Sequence, residues 1–396
     1  MEIYKLTPLT SLVWFQEGPG VRNTQYTNSG VKLLNVANLI DGHIDLSTSN
    51  RYIAEEEAYG RYRHFLCDKG DLVIASSGIK VDYFDKKMGF VRQEHLPLCM
   101  NTSTIRFKVL DKNILNIRYF MYFLKSNFFK SQLSKQITGS AQLNFGPSHL
   151  KRMIVPLINI DYQNHICGIL DKVYELEYKL QTELTLLNQL VKSRFIEMFG
   201  HSDRPKVRLG ECCIINPKKS SDIRLVDNDL MVSFVSMSDV SEDGQIVTCN
   251  HKQYESVKSG FTYFSENDVL FAKITPCMEN GKGGIAKGLL NGIGFGSTEF
   301  HVLRPIDQVS NSCWLYELTS FPQFRQAAEI NMTGSAGQRR VPASFLANYK
   351  VSLPPVSLQN QFADFVHQLD KSKLAVQKSL DELETLKKSL MQTYFG

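Results

Sequence analysis

A chain of 396 residues is longer than one typical domain, so two or three domains are expected. Hydrophobic content of 43% and charged content of 21% exclude a disordered polymer, and no apolar run approaches the roughly 18 residues that span a bilayer. A net charge of +5 allows a nucleic-acid partner without requiring one, and its distribution is uneven: residues 1–160 hold 20 Lys and Arg against 13 Asp and Glu, whereas residues 201–357 hold 16 of each.

In chain order, the start Met1-Glu2-Ile3-Tyr4-Lys5 lacks the layout of a signal peptide. The eight cysteines, at 67, 99, 167, 212, 213, 249, 277 and 313, form no Cys-x-x-Cys pair. A reduced, cytoplasmic protein is therefore expected. Strands are predicted over residues 31–39, Leu72–Ala75 and 103–109, and an amphipathic helix over 119–134. After the word Thr138-Gly139-Ser140-Ala141 and a Pro-containing strand, Ile154-Val155-Pro156-Leu157, residues 161–200 form a long helix. Ile166, Val173, Leu180 and Leu187 recur every seven residues along it, followed by Arg194. Leu170, Leu176, Leu184, Leu190 and Val191 thicken the stripe. Strands at 231–240, Val269–Ala272 and 299–303 and a helix at 314–329 follow. A second long helix over 358–396 carries Phe362, Leu369, Val376, Leu383 and Leu390 in heptad register, with Val366, Leu380 and Leu386 between them. About 39 residues of helix span roughly 58 Å.

The second half respells the first. Thr138 to Ala141 returns as Thr333-Gly334-Ser335-Ala336, and Pro147 matches Pro342, both at an offset of 195. Gln163 matches Gln359, and Met198-Phe199-Gly200 resembles Tyr394-Phe395-Gly396, at an offset of 196, so one residue has been inserted. Gly70-Asp71-Leu72-Val73-Ile74-Ala75 resembles Asn267-Asp268-Val269-Leu270-Phe271-Ala272. Matches in constant order imply a tandem duplication. The expected fold is α/β (α+β): a globular domain at 1–160, spacer helix at 161–200, second domain at 201–357 and second helix at 358–396. The short linker, His201 to Pro205, makes the helices run antiparallel as a coiled coil. A rod with a globular domain at each end and an approximate twofold axis is the expected outcome. The alternative is that each helix packs on its own domain.

Catalytic motifs are scarce. Neither Asn216-Pro217-Lys218-Lys219 nor Leu353-Pro354-Pro355 is an adenine-methyltransferase loop. Gly292-Ile293-Gly294-Phe295-Gly296 lacks dinucleotide spacing and reads as a turn between strands, and there is no Walker A sequence. Asp268 with Lys273, or Glu279 with Lys282, is too short a combination to mark a metal nuclease, and the nine histidines show no metal-ligand pattern.

The doubled arrangement resembles the specificity subunit of type I restriction–modification systems: a Thr-Gly-Ser-Ala loop, a Pro-containing strand, a Gln and a heptad helix closed by Phe-Gly. The second copy keeps the family's Leu-Pro-Pro run at Leu353-Pro354-Pro355, where the first has Leu157-Ile158-Asn159. The resemblance implies two target recognition domains, each reading half of a bipartite, asymmetric DNA site. The helices would fix the unread gap and dock two modification (methyltransferase) subunits. It also implies S-adenosylmethionine on those subunits, a restriction subunit with ATP, Mg and translocase and nuclease activity, and no catalysis or cofactor in this chain. The other readings are a self-contained methyltransferase or nuclease, or a coiled-coil adaptor without a DNA role.

Base reading in the major groove favours Arg, Lys, Asn and Gln. Gln142 and Asn144 follow the first Thr-Gly-Ser-Ala word, and Gln338, Arg339 and Arg340 follow the second. A second set is Arg61, Arg63, His64 and Lys80, interleaved with Tyr59 and Tyr62. A third is Lys273, Lys282 and Lys287, whose ammonium groups suit phosphate. For all three sets the competing reading is a solvated polar surface.

Overall fold

Two runs of four apolar residues, Leu72–Ala75 and Val269–Ala272, are wholly buried, as a strand covered on both faces must be. Each lies inside a four-stranded antiparallel sheet. In the computed structural model, which describes residues 4–79, 81–136, 143–200, 205–225, 229–246, 250–335 and 337–396, the chain forms two compact units. The first comprises Met1–Lys179 with Ser379–Gly396, and the second Leu180–Lys378. Each unit thus owns part of both long helices.

In the first unit the sheet order is Val13–Glu17, Thr104–Val109, Leu72–Ala75, Met88–Phe90. A smaller sheet sets Val31–Leu34 parallel to Leu98–Met100 and antiparallel to Tyr52–Ile53. The second unit repeats the plan. Its main sheet runs Cys213–Ile215, Phe300–Pro305, Val269–Ala272, Gly283–Ile285. Its other sheet sets Met231–Val235 parallel to Ile293–Gly296 and antiparallel to Asn250–Gln253. The duplication is one of topology as well as of spelling.

Several sequence expectations are corrected. The strands expected at 31–39 and 231–240 stop at Leu34 and Val235, because Val36–Asn38 and Met237–Asp239 turn into 3-10 helix. The helix expected at 119–134 is two, Ile117–Lys125 and Asn127–Ser134: Ser126 is extended and its hydroxyl caps the second by accepting from the Phe129 N–H at 3.2 Å. The helix at 314–329 is likewise Ser312–Ser320 and Pro322–Ile330, with Pro322 beginning the second piece. Gly292 to Gly296 is mostly strand, not turn. A Cβ at Gly294 would lie 2.0 Å from the Phe264 ring, so glycine at alternate positions lets that ring cross the sheet. Pro147 opens its short helix whereas Pro342 caps its counterpart, so those two prolines are one residue out of step.

The long helices cover Ile160–Phe199 and Val356–Phe395. All nine seam residues are buried or half-buried, from Ile166 and Phe362 to Leu180, Leu187 and Leu390. The stripe widens on one side only. Positions four after a seam residue (Leu170, Leu184, Val191, Val366, Leu380) turn inward, and those three after it (Leu176, Leu190, Leu386) remain 46–48% exposed. At about 100° per residue a step of four lands 40° from the seam and a step of three 60° away on the other flank.

In the first unit, Lys387 of the second helix donates to Glu177 of the first at 2.6 and 2.7 Å, and Phe395 lies against Tyr119 with ring centroids 5.0 Å apart. In the second unit Phe195 and Phe199 both meet Phe362 at 5.5 Å, and the Arg194 guanidinium lies over Phe365. Within each unit, late residues of one helix meet early residues of the other, which is antiparallel pairing.

Candidate nucleic-acid interface

The strand Val269–Ala272 ends where polar groups from distant sequence positions meet. The Lys273 N–H donates to the Glu299 carbonyl and the Val341 N–H donates to the Lys273 carbonyl, both at 2.9 Å. Arg340 forms β-bridges to Ile274 and to Thr333, which stitches the loop after Thr333-Gly334-Ser335 onto the strand end. Gly334 sits at φ +116, a conformation that side chains resist, so the turn depends on that glycine. The Ala272 N–H donates to the Lys282 carbonyl at 3.2 Å, which brings in the neighbouring strand. Lys273, Lys282, Gln338, Arg339 and Arg340 therefore belong to one site, although the sequence offered them as two sets.

Within that site the side chains have different freedom. Arg340 grips Glu299 with two arms, Nε to Oε2 at 2.9 Å and Nη2 to Oε1 at 2.8 Å, and its Nη1 donates to the Gln338 carbonyl at 3.0 Å. The guanidinium beside it holds the Glu299 carboxyl below the usual carboxylate range. Arg339 turns away and donates to the Glu329 carbonyl at 2.6 Å. The Lys282 ammonium donates to the Met237 carbonyl at 3.1 Å, so it is tied to the fold. Gln338 and Lys287 are exposed.

The first unit has the same backbone frame with other side chains. The Ser76 N–H donates to the Ser103 carbonyl at 2.8 Å, the Phe145 N–H to the Ser76 carbonyl at 2.9 Å, and the Ala75 N–H to the Lys87 carbonyl at 2.9 Å. Asn144 pairs in register with Ser77 and is exposed, and the Ser77 hydroxyl donates to that of Ser103 at 2.6 Å. Gln142 and Lys80 lie outside the described residues. Arg61 and Arg63 are exposed but are not brought to Asn144. They flank buried Tyr62, in the separate cluster around Val31, Leu33 and Ile53, and Arg61 stacks over Tyr62 with its guanidinium 5.4 Å from the ring. His64 is exposed, while its carbonyl accepts from Arg106 at 2.7 Å.

Sequence reasoning missed Glu299 and Ser103. Both precede the strand that pairs with the central one, and superposing the copies at the offset of 196 that aligns Gln163 with Gln359 would have brought them together. The short acid–lysine pairs are structural. Asp268 takes both arms of Arg304 at 2.8 and 2.7 Å, and Glu279 accepts from the Thr275 hydroxyl at 2.8 Å. Among the described residues no three His, Cys, Asp or Glu side chains are grouped to hold a metal, and no helix is long and apolar enough to cross a membrane. The seven described cysteines are unpaired.

A family model described as "Type I restriction modification DNA specificity domain" matches the chain twice, over residues 21–187 and 202–385. The specificity subunit of the type I restriction enzyme EcoEI of Escherichia coli is 34% identical over 231 residues, covering 54% of this chain and 37% of that protein. The EcoAI specificity subunit of Escherichia coli is 38% identical over 188 residues, 45% of this chain and 31% of that one. The matched stretches thus span about a third of those relatives' length. Among solved structures, a type I restriction–modification S subunit from M. genitalium superposes with a TM-score of 0.53 at 13% identity, covering 100% of this chain and 96% of that one. A chain from a study of complex assembly and conformational transition in a type I R-M system gives 0.54 at 17% identity, covering 99% of each. At these identities the superpositions speak for the fold.

Proposed function

This chain belongs to the type I restriction–modification DNA specificity family, and from that premise we propose that it is the non-catalytic address subunit of a type I complex, reading two separate DNA words. The domain at 1–160 reads one half of a bipartite, asymmetric target, and the domain at 201–357 reads the other. The observation that carries this reading is the doubled frame at the strand ends: the same main-chain hydrogen bonds recur in both units under different polar side chains. A common scaffold with unlike side chains is what reading two unlike words requires.

The helices at 161–200 and 358–396 set the unread gap. Rigid readers on a spacer must address faces of the duplex fixed by its repeat of roughly 34 Å. The helices also dock two modification subunits. Support for docking is the apolar surface left exposed on the long helices, Leu176 and Leu386 in the first unit and Leu186, Leu190 and Leu374 in the second, 46–72% exposed. S-adenosylmethionine would be carried by those partners, with ATP and Mg on a restriction subunit.

The test is a footprint of the chain assembled with its modification subunits on its methylated target. Two protected blocks separated by an unread gap are expected. One continuous block would overturn the bipartite reading, and failure to capture a modification subunit would favour an adaptor without a DNA role.

A further inference from the structure

We propose that Asn144 in the first unit and Arg340 in the second are equivalent base-reading positions, flanked by Ser103 and Glu299 respectively, and that their difference sets the difference between the half-sites. The inference deepens the reading above and rests on it.

The equivalence is geometric. Three main-chain hydrogen bonds correspond one to one. Ser76 N–H to Ser103 carbonyl matches Lys273 N–H to Glu299 carbonyl, and Phe145 N–H to Ser76 carbonyl matches Val341 N–H to Lys273 carbonyl. Ala75 N–H to Lys87 carbonyl matches Ala272 N–H to Lys282 carbonyl. The pairing of Asn144 with Ser77 matches the bridge of Arg340 with Ile274. Two residues of this frame are identical in the two copies, Ala75 with Ala272 and Lys87 with Lys282. The side chains on its rim are not: Ser77 has become Ile274, Ser103 has become Glu299 and Asn144 has become Arg340. A shared main-chain frame that carries unlike polar groups at its rim is a place where the two copies can do different work.

The chemistry of the two rims then names the bases. A guanidinium has five N–H bonds. In Arg340, Nε and Nη2 are spent on Glu299 and Nη1 on the Gln338 carbonyl. One N–H remains on each terminal nitrogen. Glu299 thus holds the fork side-on and leaves its end to meet two acceptors, the O6 and N7 pattern of guanine. Asn144 carries one acceptor and one donor group on an exposed amide, the complement of adenine N7 and N6. Glu299 is a positioning residue in this scheme, acting through Arg340, and Ser103 occupies its place in the first copy.

The test is methylation of a library of single-base target variants by the full chain assembled with its cognate modification subunits. Arg340→Ala should cut discrimination at one G·C pair of one half-site about tenfold or more and leave other positions unchanged. Arg340→Lys, which keeps the charge but not the fork, should do the same. Glu299→Gln should weaken discrimination at that same pair, and Asn144→Ala should relax one A·T pair in the other half-site. The double exchange Ser103→Glu with Asn144→Arg should move the preference there from adenine to guanine. A uniform fall in methylation across the library would make Arg340 a phosphate contact and overturn the proposal, as would an unchanged target. Wild-type methylation of one continuous site would instead sink the bipartite reading beneath it, so the two failures are distinguishable.

Discussion

Gln163 and Gln359 are fully buried, and each closes three hydrogen bonds that anchor the start of a long helix. Gln163 accepts from the Asn116 N–H and donates to the carbonyls of Ile114 and Ile158. Gln359 accepts from the Asn311 N–H and donates to the carbonyls of Val309 and Pro354. Gln359→Leu would keep the volume and orphan all three partners. A loss of about 2–4 kcal/mol is expected by urea denaturation, since each stranded buried polar group costs about 1–3 kcal/mol. No measurable loss would mean that water replaces the amide. Glu317 behaves differently. Burial pushes its carboxyl up from 4.5 to about 7, against the pull of Lys373 and Lys192 and with a small push from Asp370. Between those two values the folded chain holds a proton that the unfolded chain has released, so Glu317 makes stability fall as pH rises through that window. Glu317→Gln should therefore raise the melting temperature more at pH 8 than at pH 5. An equal shift at both would remove Glu317 as the source. The repeated Gln was legible as a spelled match, but its reason was not, because its partners lie up to 50 residues away.

Phe362 is fully buried between Phe195, Phe199 and the core beside Trp314, so it ties both long helices to the second unit. Phe362→Ala should cost about 3–5 kcal/mol in the unfolding of that unit. A loss below about 1 kcal/mol would show that the aromatic cluster closes over the gap. The heptad stripe was readable at the level of elements, because a seven-residue period is a local property of the sequence. Which flank it widened on was not. Leu176, Leu190 and Leu386 have the same hydropathy as Leu170 and Leu380, and only the direction of the partner helix separates them. The split of the helix expected at 119–134 has a similar cause: its apolar period runs through Ser126, and the side-chain cap that breaks it is decided by packing.

The first compact unit contains residues 379–396, so a fragment of residues 1–200 lacks part of its own core. Phe395 and Leu390 pack there with Tyr119 and Ile166. Duplication supplies a substitute, since Phe199 stands where Phe395 does at an offset of 196. Two fragments are expected to exchange helix ends as a symmetric dimer and, with modification subunits, to methylate an inverted repeat of one half-site. Sedimentation at micromolar concentration checks this: a monomer would contradict helix pairing as the completing contact.

By itself the sequence determined the number of copies, the two heptad helices, the strands Leu72–Ala75 and Val269–Ala272 and the family, all of which rest on local period and repeated spelling. The tertiary structure decided what comes together. It joined Lys273, Lys282 and Arg340 at one strand end and took Arg61 and Arg63 to a separate cluster. It gave Arg340 to Glu299, its bidentate partner 41 residues away. A site assembled from strand ends is non-local, and side-chain type alone does not say which arginine is held by a carboxylate and which turns to a backbone carbonyl.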